Sequence, residues 1–182
     1  MKIVVLGRGH VGGGLARLWE AAGHDCTALG RDGGDAAGAD VVLVAVPGGS
    51  IPDAFSRVSG FEGKTTIDAT NSYSERNPDF PSLAHEVKSI VGGPVAKSFN
   101  LNVASLHDQI AAQRVPPSNI FAADPEAREV TEQLNRDAGY EPVYAGGLDQ
   151  ARVLEDGVGL IFAIIQGGLG PCFYRYARPG DL

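Results

Sequence analysis

The stretch KIVVLGRGHVGGGLARLWEAAG, residues 2–23, decides the fold. Its first five residues are mostly apolar and rich in β-branched side chains, which is typical of a short strand buried on both faces. Apolar residues then recur at helical spacing over residues 10–23, and Gly23 is a suitable end signal for that helix. The stretch therefore predicts a strand, a glycine-rich turn and a helix in immediate succession.

The remainder of the chain repeats this alternation. Apolar runs predict strands at 25–30, 39–47, 64–70, 94–99, 118–123 and 142–146, and periodicity predicts helices at 51–59, 82–91, 124–139 and 148–168. Residues 100–117 have no clear period and are expected to form a loop. The alternation predicts an α/β fold, which is a Rossmann-like, doubly wound and mostly parallel sheet followed by a C-terminal helical segment.

The composition is that of an ordinary globular protein, with 43% hydrophobic and 20% charged residues in 182 positions. A net charge of -7 without a run of lysine or arginine argues against nucleic acid and anionic membranes as partners. The first strand is too short for a secretory signal, and the apolar run at 158–165 is too short to span a bilayer. Cys26 and Cys172 have no metal-binding spacing. We therefore expect a cytoplasmic protein without a metal site.

Gly7, Gly9 and Gly12 form the pattern G-x-G-x-x-G between the first strand and the first helix. In this pattern the first glycine permits a tight turn and the second lets the backbone approach a diphosphate. The third lets the helix pack close to the strand. The N-terminus of the helix adds free N–H groups and a partial positive charge. This turn therefore predicts a binding site for a dinucleotide.

The tip of the second strand distinguishes between NADP and NAD, because an arginine there accommodates the 2′-phosphate whereas an acidic residue holds a free ribose hydroxyl. Arg31 comes first after Gly30 and favours NADP(H), and Arg8 in the glycine turn offers a second positive charge. Asp32 leaves NAD open as the alternative. His10 lies in the phosphate turn, so we expect it at phosphate or solvent rather than as a catalytic base.

Ligands of such sheets bind beyond the carboxyl ends of the strands. Val46 and Pro47 leave the third predicted strand, where we expect them beside the adenosine and diphosphate. Asn71 follows the fourth strand. Lys97 lies toward the end of the fifth strand and Asn100 follows it, where these two side chains could orient a nicotinamide or a substrate oxygen. The sequence has no evident nucleophile triad, metal cluster or carboxylate pair, which fits hydride transfer by a bound cofactor to a small-molecule redox acceptor.

The chain resembles the deazaflavin-dependent NADP reductase family, whose founding activity passes hydride between NADP(H) and the 5-deazaflavin coenzyme called factor 420. The matching pieces are KIVVLGRGHVGGGLARLWEAAGHDC, the arginine after the second strand, DVVLVAVP, TIDATN, GGPVAKSFN and DPEAREVTEQLNRDAGYEPVYAGGLDQARVLE. They cover most of the chain in the family's order. VAKSFN and AGGLDQARVLE are more specific than the first piece, which many dinucleotide-binding folds share.

The resemblance implies an NADP(H)-binding domain over residues 1–147. It also implies a C-terminal helix and aromatic tail over 148–182 that help close the active site and build a homodimer. Gly9, His10, Val11 and Arg31 match the family's phosphate and 2′-phosphate positions, and Ala96 lies near its nicotinamide site. In that family the deazaflavin lies in a shallow apolar cleft without a dedicated acid or base.

Other functions remain open at this point. A 3-hydroxyacid or imine reductase would suit Lys97 and Asn100. A non-catalytic NADP(H) sensor would suit a chain that is shorter than the deazaflavin-dependent reductases it resembles, because the missing residues fall after Asn102, in the region that helps shape the second-substrate pocket. The tail GLGPCFYRYARPGDL has two interpretations as well. It either packs against the protein or uses Tyr174, Arg175 and Arg178 as an aromatic wall and anion clamp.

Overall fold

A computed structural model describes residues 1–72 and 76–180 of the chain. The strands are β1 (Lys2–Leu6), β2 (Asp25–Leu29), β3 (Gly34–Asp35), β4 (Val41–Val44), β5 (Val58–Ser59), β6 (Thr65–Asp68), β7 (Val95–Lys97), β8 (Ser118–Ala123) and β9 (Glu141–Gly146). The α-helices are α1 (His10–Ala21), α2 (Ile51–Phe55), α3 (Leu83–Val91), α4 (Pro125–Asp137) and α5 (Ala151–Ile164).

Seven strands form one sheet in the order β2-β1-β4-β6-β7-β8-β9, and β3 pairs with β5 in a separate two-stranded sheet. Strands β2, β1, β4, β6 and β7 are mutually parallel, whereas β8 pairs antiparallel with β7 and parallel with β9. The predicted Rossmann-like, mostly parallel sheet is therefore confirmed. Strands β2 and β4 lie on opposite sides of β1, so the strand order reverses at β1. Ligands of such sheets bind in the crevice at this reversal.

The two faces of the sheet carry separate cores. Helices α1 and α4 cover one face, where the fully buried Trp19 donates from its Nε1 to the carbonyl oxygen of Leu134 at 2.8 Å. Helices α2 and α3 cover the other face through Ile51, Phe55 and Leu83 among others. Truncating a buried aromatic side chain of this kind costs about 3–5 kcal/mol, so Trp19 is a principal link between α1 and α4.

The element boundaries differ from the sequence prediction at several places. Helix α2 ends at Phe55, and residues 58–59 of the helix predicted at 51–59 form β5 instead. Strand β7 ends at Lys97, two residues earlier than predicted, because Phe99 has a φ of 63° that no strand accommodates. Residues 104–112, predicted as loop, form a 3-10 helix. The two-residue strands β3 and β5 carry too little pattern to be predicted.

The C-terminal segment begins inside the core and ends on the surface. Leu148 and Ala151 are buried in the same apolar cluster as α2 and α3. Farther along, Leu160 and Leu169 are 64% and 68% exposed. Within the described ranges, no helix is both long and apolar enough to cross a membrane.

Candidate functional site

The glycine-rich turn has the backbone geometry that its sequence predicts. Gly7 has a φ of +108°, and a Cβ there would overlap the carbonyl oxygen of Ala45. A Cβ on Gly12 would overlap the carbonyl oxygen of Gly7, so the close packing of α1 on β1 requires that glycine. The predicted structural roles of Gly7 and Gly12 are confirmed. A Cβ on Gly9 would meet nothing within 4 Å, which leaves an open surface at the N-cap of α1.

A cleft of about 930 Å³ opens beside this turn, at the carboxyl ends of β1, β2 and β4. Its walls come from the glycine turn, the tip of β2, the end of β4 and helix α2. The lining residues are Leu6, Gly7, Arg8, Gly9, Gly30, Arg31, Asp32, Ala45, Val46, Pro47, Ser50, Asp53, Ala54, Arg57 and Val58. Its volume lies in the range of ligand pockets, and its position is the crevice expected from the strand order.

Three arginines and two aspartates line this cleft. The guanidinium of Arg8 lies against Gly30 at the end of β2, where any Cβ would overlap it. Arg57 donates from Nη1 to the carbonyl oxygen of Arg31 at 2.9 Å and from Nη2 to Asp53 at 2.7 Å. The cleft thus has an excess of positive charge in a chain whose net charge is -7, which favours an anionic ligand.

The other predicted cofactor residues near the glycine turn and the end of β4 lie in three different environments. Val46 and Pro47 line the main cleft. His10 is exposed and lines a smaller neighbouring cleft of about 380 Å³, together with Arg17 and Ser105 among others. Val11 is partly buried and packs against the core of the α1 face. The side chain of Val11 therefore serves packing, while its backbone belongs to the first turn of α1.

The carboxyl ends of β6 and β7 are tied together by two asparagines. Asn71 donates from Nδ2 to the carbonyl oxygen of Asn100 at 2.7 Å, and its Oδ1 accepts from Nδ2 of Asn100 at 3.1 Å. The same Nδ2 of Asn100 donates to the carbonyl oxygen of Leu154 at 3.0 Å. Asn100 is only 4% exposed. The pair therefore fixes this edge of the sheet to α5.

Lys97 and Ala96 lie inside the protein. The Lys97 side chain has no exposed surface, and its Nζ contacts Oδ2 of Asp68 at 2.8 Å, the carbonyl oxygen of Thr70 at 2.6 Å and Oε1 of Glu155 at 3.2 Å. Ala96 is equally buried, within the core of the α1 face. Protein groups already surround the Lys97 ammonium, which argues against the expectation that it orients a nicotinamide or a substrate oxygen. The nearness of Ala96 to a nicotinamide stays a prediction.

Glu155 extends this ion network toward the surface. Its Oε2 lies 3.4 Å from Nε of Arg76, and Nη1 of Arg76 pairs with Asp156 at 2.8 Å. Its Oε1 also accepts from the backbone N–H of Ala84 in α3 at 3.3 Å. Glu155 is buried with a side chain that has no exposed surface. No pattern in the sequence singles out Glu155, which anchors α5 to β7 and α3.

Phe99 occupies the left-handed backbone region that bulky side chains rarely adopt. Its N–H donates to Oδ1 of Asn119 at 3.2 Å, and Asn119 also donates to Oγ of Ser98 at 2.9 Å. Asn135 of α4 hydrogen-bonds to both Asn119 and Ser98. Such a conformation costs about 1–3 kcal/mol and persists only where neighbours enforce it. These buried side chains hold the turn that places Asn100 opposite Asn71.

The C-terminal tail packs against the protein in its first half. The hydroxyl of Tyr174 donates to Oδ1 of Asn102 at 3.2 Å and accepts from the N–H of Ile120 at 3.3 Å. Arg175 donates to the carbonyl oxygen of Pro116 at 2.6 Å. Burial raises the pKa of Tyr174. These contacts favour the packing interpretation for Tyr174, while Arg178 lines a shallow cleft at β9.

Neither cysteine forms a disulfide, and burial raises the pKa of Cys26 to about 11. Among residues 1–72 and 76–180, no group of three or more His, Cys, Asp or Glu side chains is arranged to hold a metal ion. The candidate site consists of the main cleft of about 930 Å³ and the carboxyl ends of β6 and β7, which follow β4 in the sheet.

No protein-family model matches the chain, and a search of curated proteins found no match. The fold is similar to that of a protein from Arthrobacter sp. FB24 described as a "putative f420 dependent nadp-reductase". The TM-score is 0.80, and the identity is 24% over 98% of this chain and 100% of that one.

Two longer proteins have similar folds. One is a 3-hydroxyisobutyrate dehydrogenase from Mycobacterium tuberculosis, with a TM-score of 0.61 and 15% identity over 94% of this chain and 72% of that one. The other is a reductive aminase from Aspergillus terreus in complex with NADPH, with a TM-score of 0.68 and 13% identity over 91% of this chain and 62% of that one. At these identities the likenesses establish the fold.

Proposed function

We propose that the protein is an NADP(H)-dependent oxidoreductase. The observation that carries this proposal is the cleft beside the glycine turn, where an open N-cap at Gly9 adjoins the arginines at the tip of β2. The first N–H groups of α1 have no acceptor within the helix and carry a partial positive charge, which suits a diphosphate. Arg8 and Arg31 suit the additional phosphate of NADP(H).

The chain's own groups would bind and orient the dinucleotide. Gly7 and Gly12 hold the turn against β4 and α1, so that the backbone at Gly9 stays uncovered. Val46 and Pro47 form the apolar floor of the cleft at the end of β4. Bound NADPH would supply a hydride, which is one proton with two electrons. The Asn71–Asn100 pair would shape the edge of the sheet nearest the reacting carbon.

The proposed acceptor is a deazaflavin or a flavin-like molecule. The sequence resemblance supports this choice. So does the fold of the Arthrobacter protein, whose name describes such an activity and which this chain covers over its full length. The ends of β6 and β7 support the same choice of acceptor, because their charged side chains Asp68 and Lys97 are buried in an ion pair. A hydride acceptor that needs no protein acid or base fits this environment.

A 3-hydroxyacid or imine reductase is the second candidate, favoured by the likeness to the dehydrogenase and the reductive aminase. One observation weighs against it. The ammonium of Lys97 is enclosed by Asp68, Thr70 and Glu155, so it is not available to a substrate.

The test is turnover with NADPH and a panel of acceptors. NADPH oxidation would be followed by absorbance after adding a 5-deazaflavin, a flavin, a 3-oxoacid or a cyclic imine. We expect oxidation with the deazaflavin or flavin. Turnover only with the oxoacid or imine would support the second candidate instead. Tight NADPH binding without turnover on any acceptor would contradict both enzymes and favour a non-catalytic sensor.

A further inference from the structure

Arg57 lies in the main cleft, although its sequence position gives no sign of a role there. It follows α2 and is 26 residues from Arg31, yet its Nη1 donates to the carbonyl oxygen of Arg31 at 2.9 Å. The Arg57 side chain is 47% exposed and lines the cleft together with Arg8 and Arg31. Three guanidinium-bearing residues from three separate chain segments therefore surround the tip of β2.

The backbone explains why Arg57 reaches this position. Strand β5 follows Arg57 directly and pairs in parallel with β3 through Gly34 and Val58. The N–H of Gly34 donates to the carbonyl oxygen of Arg57 at 3.0 Å. Gly33 has a φ of +74°, and a Cβ there would overlap that same carbonyl. The turn that carries Arg31 is thus held against Arg57 by main-chain contacts.

The charges explain why an arginine is useful there. Asp32 and Asp53 also line the cleft, and two carboxylates near a phosphate monoester would repel its charge of about -1.5 to -2. Arg57 binds Asp53 through Nη2 at 2.7 Å, which neutralises one of the two acids. A guanidinium has five N–H donors, of which these two contacts use only two.

We propose that Arg57 is a specificity-determining residue of this site, which donates to the 2′-phosphate of NADP(H) alongside Arg8 and Arg31. Asp53 is its positioning partner, since it fixes the guanidinium fork one helical turn away. This inference rests on the proposed function, because it assumes that the cleft holds the adenosine end of the dinucleotide. It adds a residue that the glycine pattern and the tip of β2 do not indicate.

The experiment measures dissociation constants for NADPH and NADH with the purified full chain and its variants, following nicotinamide fluorescence. Arg57→Gln removes the charge but keeps an amide that can donate to the carbonyl of Arg31. Arg57→Lys keeps a charge. Arg31→Ala is the positive control, and Arg136→Ala, an exposed arginine of α4 paired with Glu132, is the negative control. Thermal unfolding of each variant checks that it is folded.

We expect Arg57→Gln to weaken NADPH about tenfold or more, as loss of a charge-assisted contact does, while NADH changes less than about twofold. Arg57→Lys should recover part of the loss. An unchanged NADPH affinity in Arg57→Gln, or equal weakening of NADPH and NADH, would overturn this inference and leave the proposed function standing. Wild-type protein that binds neither dinucleotide would instead overturn the proposed function, and this inference with it.

Discussion

At the scale of single residues, Lys97 shows how a strand-end polar residue becomes part of the core. Its ammonium lies between Asp68 and Glu155, and all three side chains have no exposed surface. From sequence alone, a lysine near the carboxyl end of a strand, at the edge of the sheet where ligands bind, is expected to contact a ligand. What decides otherwise is α5, which brings Glu155 from 58 residues farther along the chain and closes over the ammonium.

Replacing Lys97 with methionine should therefore destabilise the protein strongly. The substitution leaves Asp68 buried without its cation and Glu155 with Arg76 alone. Removing one partner of a buried ion pair costs about 3–5 kcal/mol. Urea unfolding would measure the loss. Lys88→Met is the matched control, because Lys88 pairs with Asp124 but its side chain is 45% exposed, so we expect about 0–1 kcal/mol there. Equal losses in the two variants would contradict the account of Lys97.

Some glycines are required by their own local turn, and others by a contact with a segment that is distant in the sequence. Gly7 and Gly12 are predictable because the turn itself requires them, and their spacing is a local signal. Gly14 has a different reason, since a Cβ there would overlap the imidazole of His107, which belongs to the 3-10 helix at 104–112. Nothing near Gly14 in the sequence indicates that contact.

At the scale of elements, the 3-10 helix packs on α1 through a buried histidine. His107 is 3% exposed, and within the described residues its Nδ1 has no hydrogen-bond partner. Burial lowers the pKa of His107, nearby Arg17 lowers it further, and Asp108 opposes the shift. The folded protein therefore favours the neutral imidazole more than the unfolded chain does.

This shift makes the stability dependent on pH in a definite direction. The ordinary pKa of the side chain is 6.5, so as the pH falls below that value the unfolded chain takes up a proton before the folded protein does. The contribution of neutral His107 is complete above that pH and declines as the pH falls toward the lower pKa of the folded state. Unfolding free energies between about pH 8 and pH 5 would show this decline.

His107→Gln is the comparison variant, because it keeps a polar side chain of similar length without a titrating ring. We expect its stability to fall less steeply than that of the wild type over the same pH range. Contributions from the other three histidines are present in both proteins and cancel in the comparison. Parallel curves for the two proteins would show that His107 is not held neutral.

Strands and helices with a strong period are the elements that sequence predicts well. Strand β1 and strand β8 have the predicted bounds, whereas β3 and β5, with two residues each, have no period at all. That small sheet nevertheless places Arg57 beside Arg31. The part of the candidate site that sequence misses is thus the part built by pairing between distant segments.

At the scale of the whole molecule, α5 and the segment after it leave an apolar surface exposed. Residues 157–170 contain no charged side chain, and Val153, Leu160, Phe162, Ile164 and Leu169 are between 38% and 68% exposed. Large apolar side chains exposed together on one segment are typical of an interface. We propose that a second copy of the chain covers it, in agreement with the dimer that the sequence resemblance implies.

Leu160→Lys should prevent that dimer, since a charged group on the covered face would lose its hydration. Val115→Lys is the control, because Val115 is 41% exposed and lies outside the apolar surface. Sedimentation equilibrium should find a dimer for the wild type and for Val115→Lys, and a monomer for Leu160→Lys. A monomeric wild type would contradict the proposed assembly.

The central claim is that the cleft at the ends of β1, β2 and β4 selects a dinucleotide with a 2′-phosphate. The most direct test titrates the wild-type protein with NADPH and with NADH and follows nicotinamide fluorescence. We predict that NADPH binds at least about tenfold more tightly, as expected for added charge-assisted contacts to a phosphate. Tighter binding of NADH, or no binding of either dinucleotide, would contradict the claim.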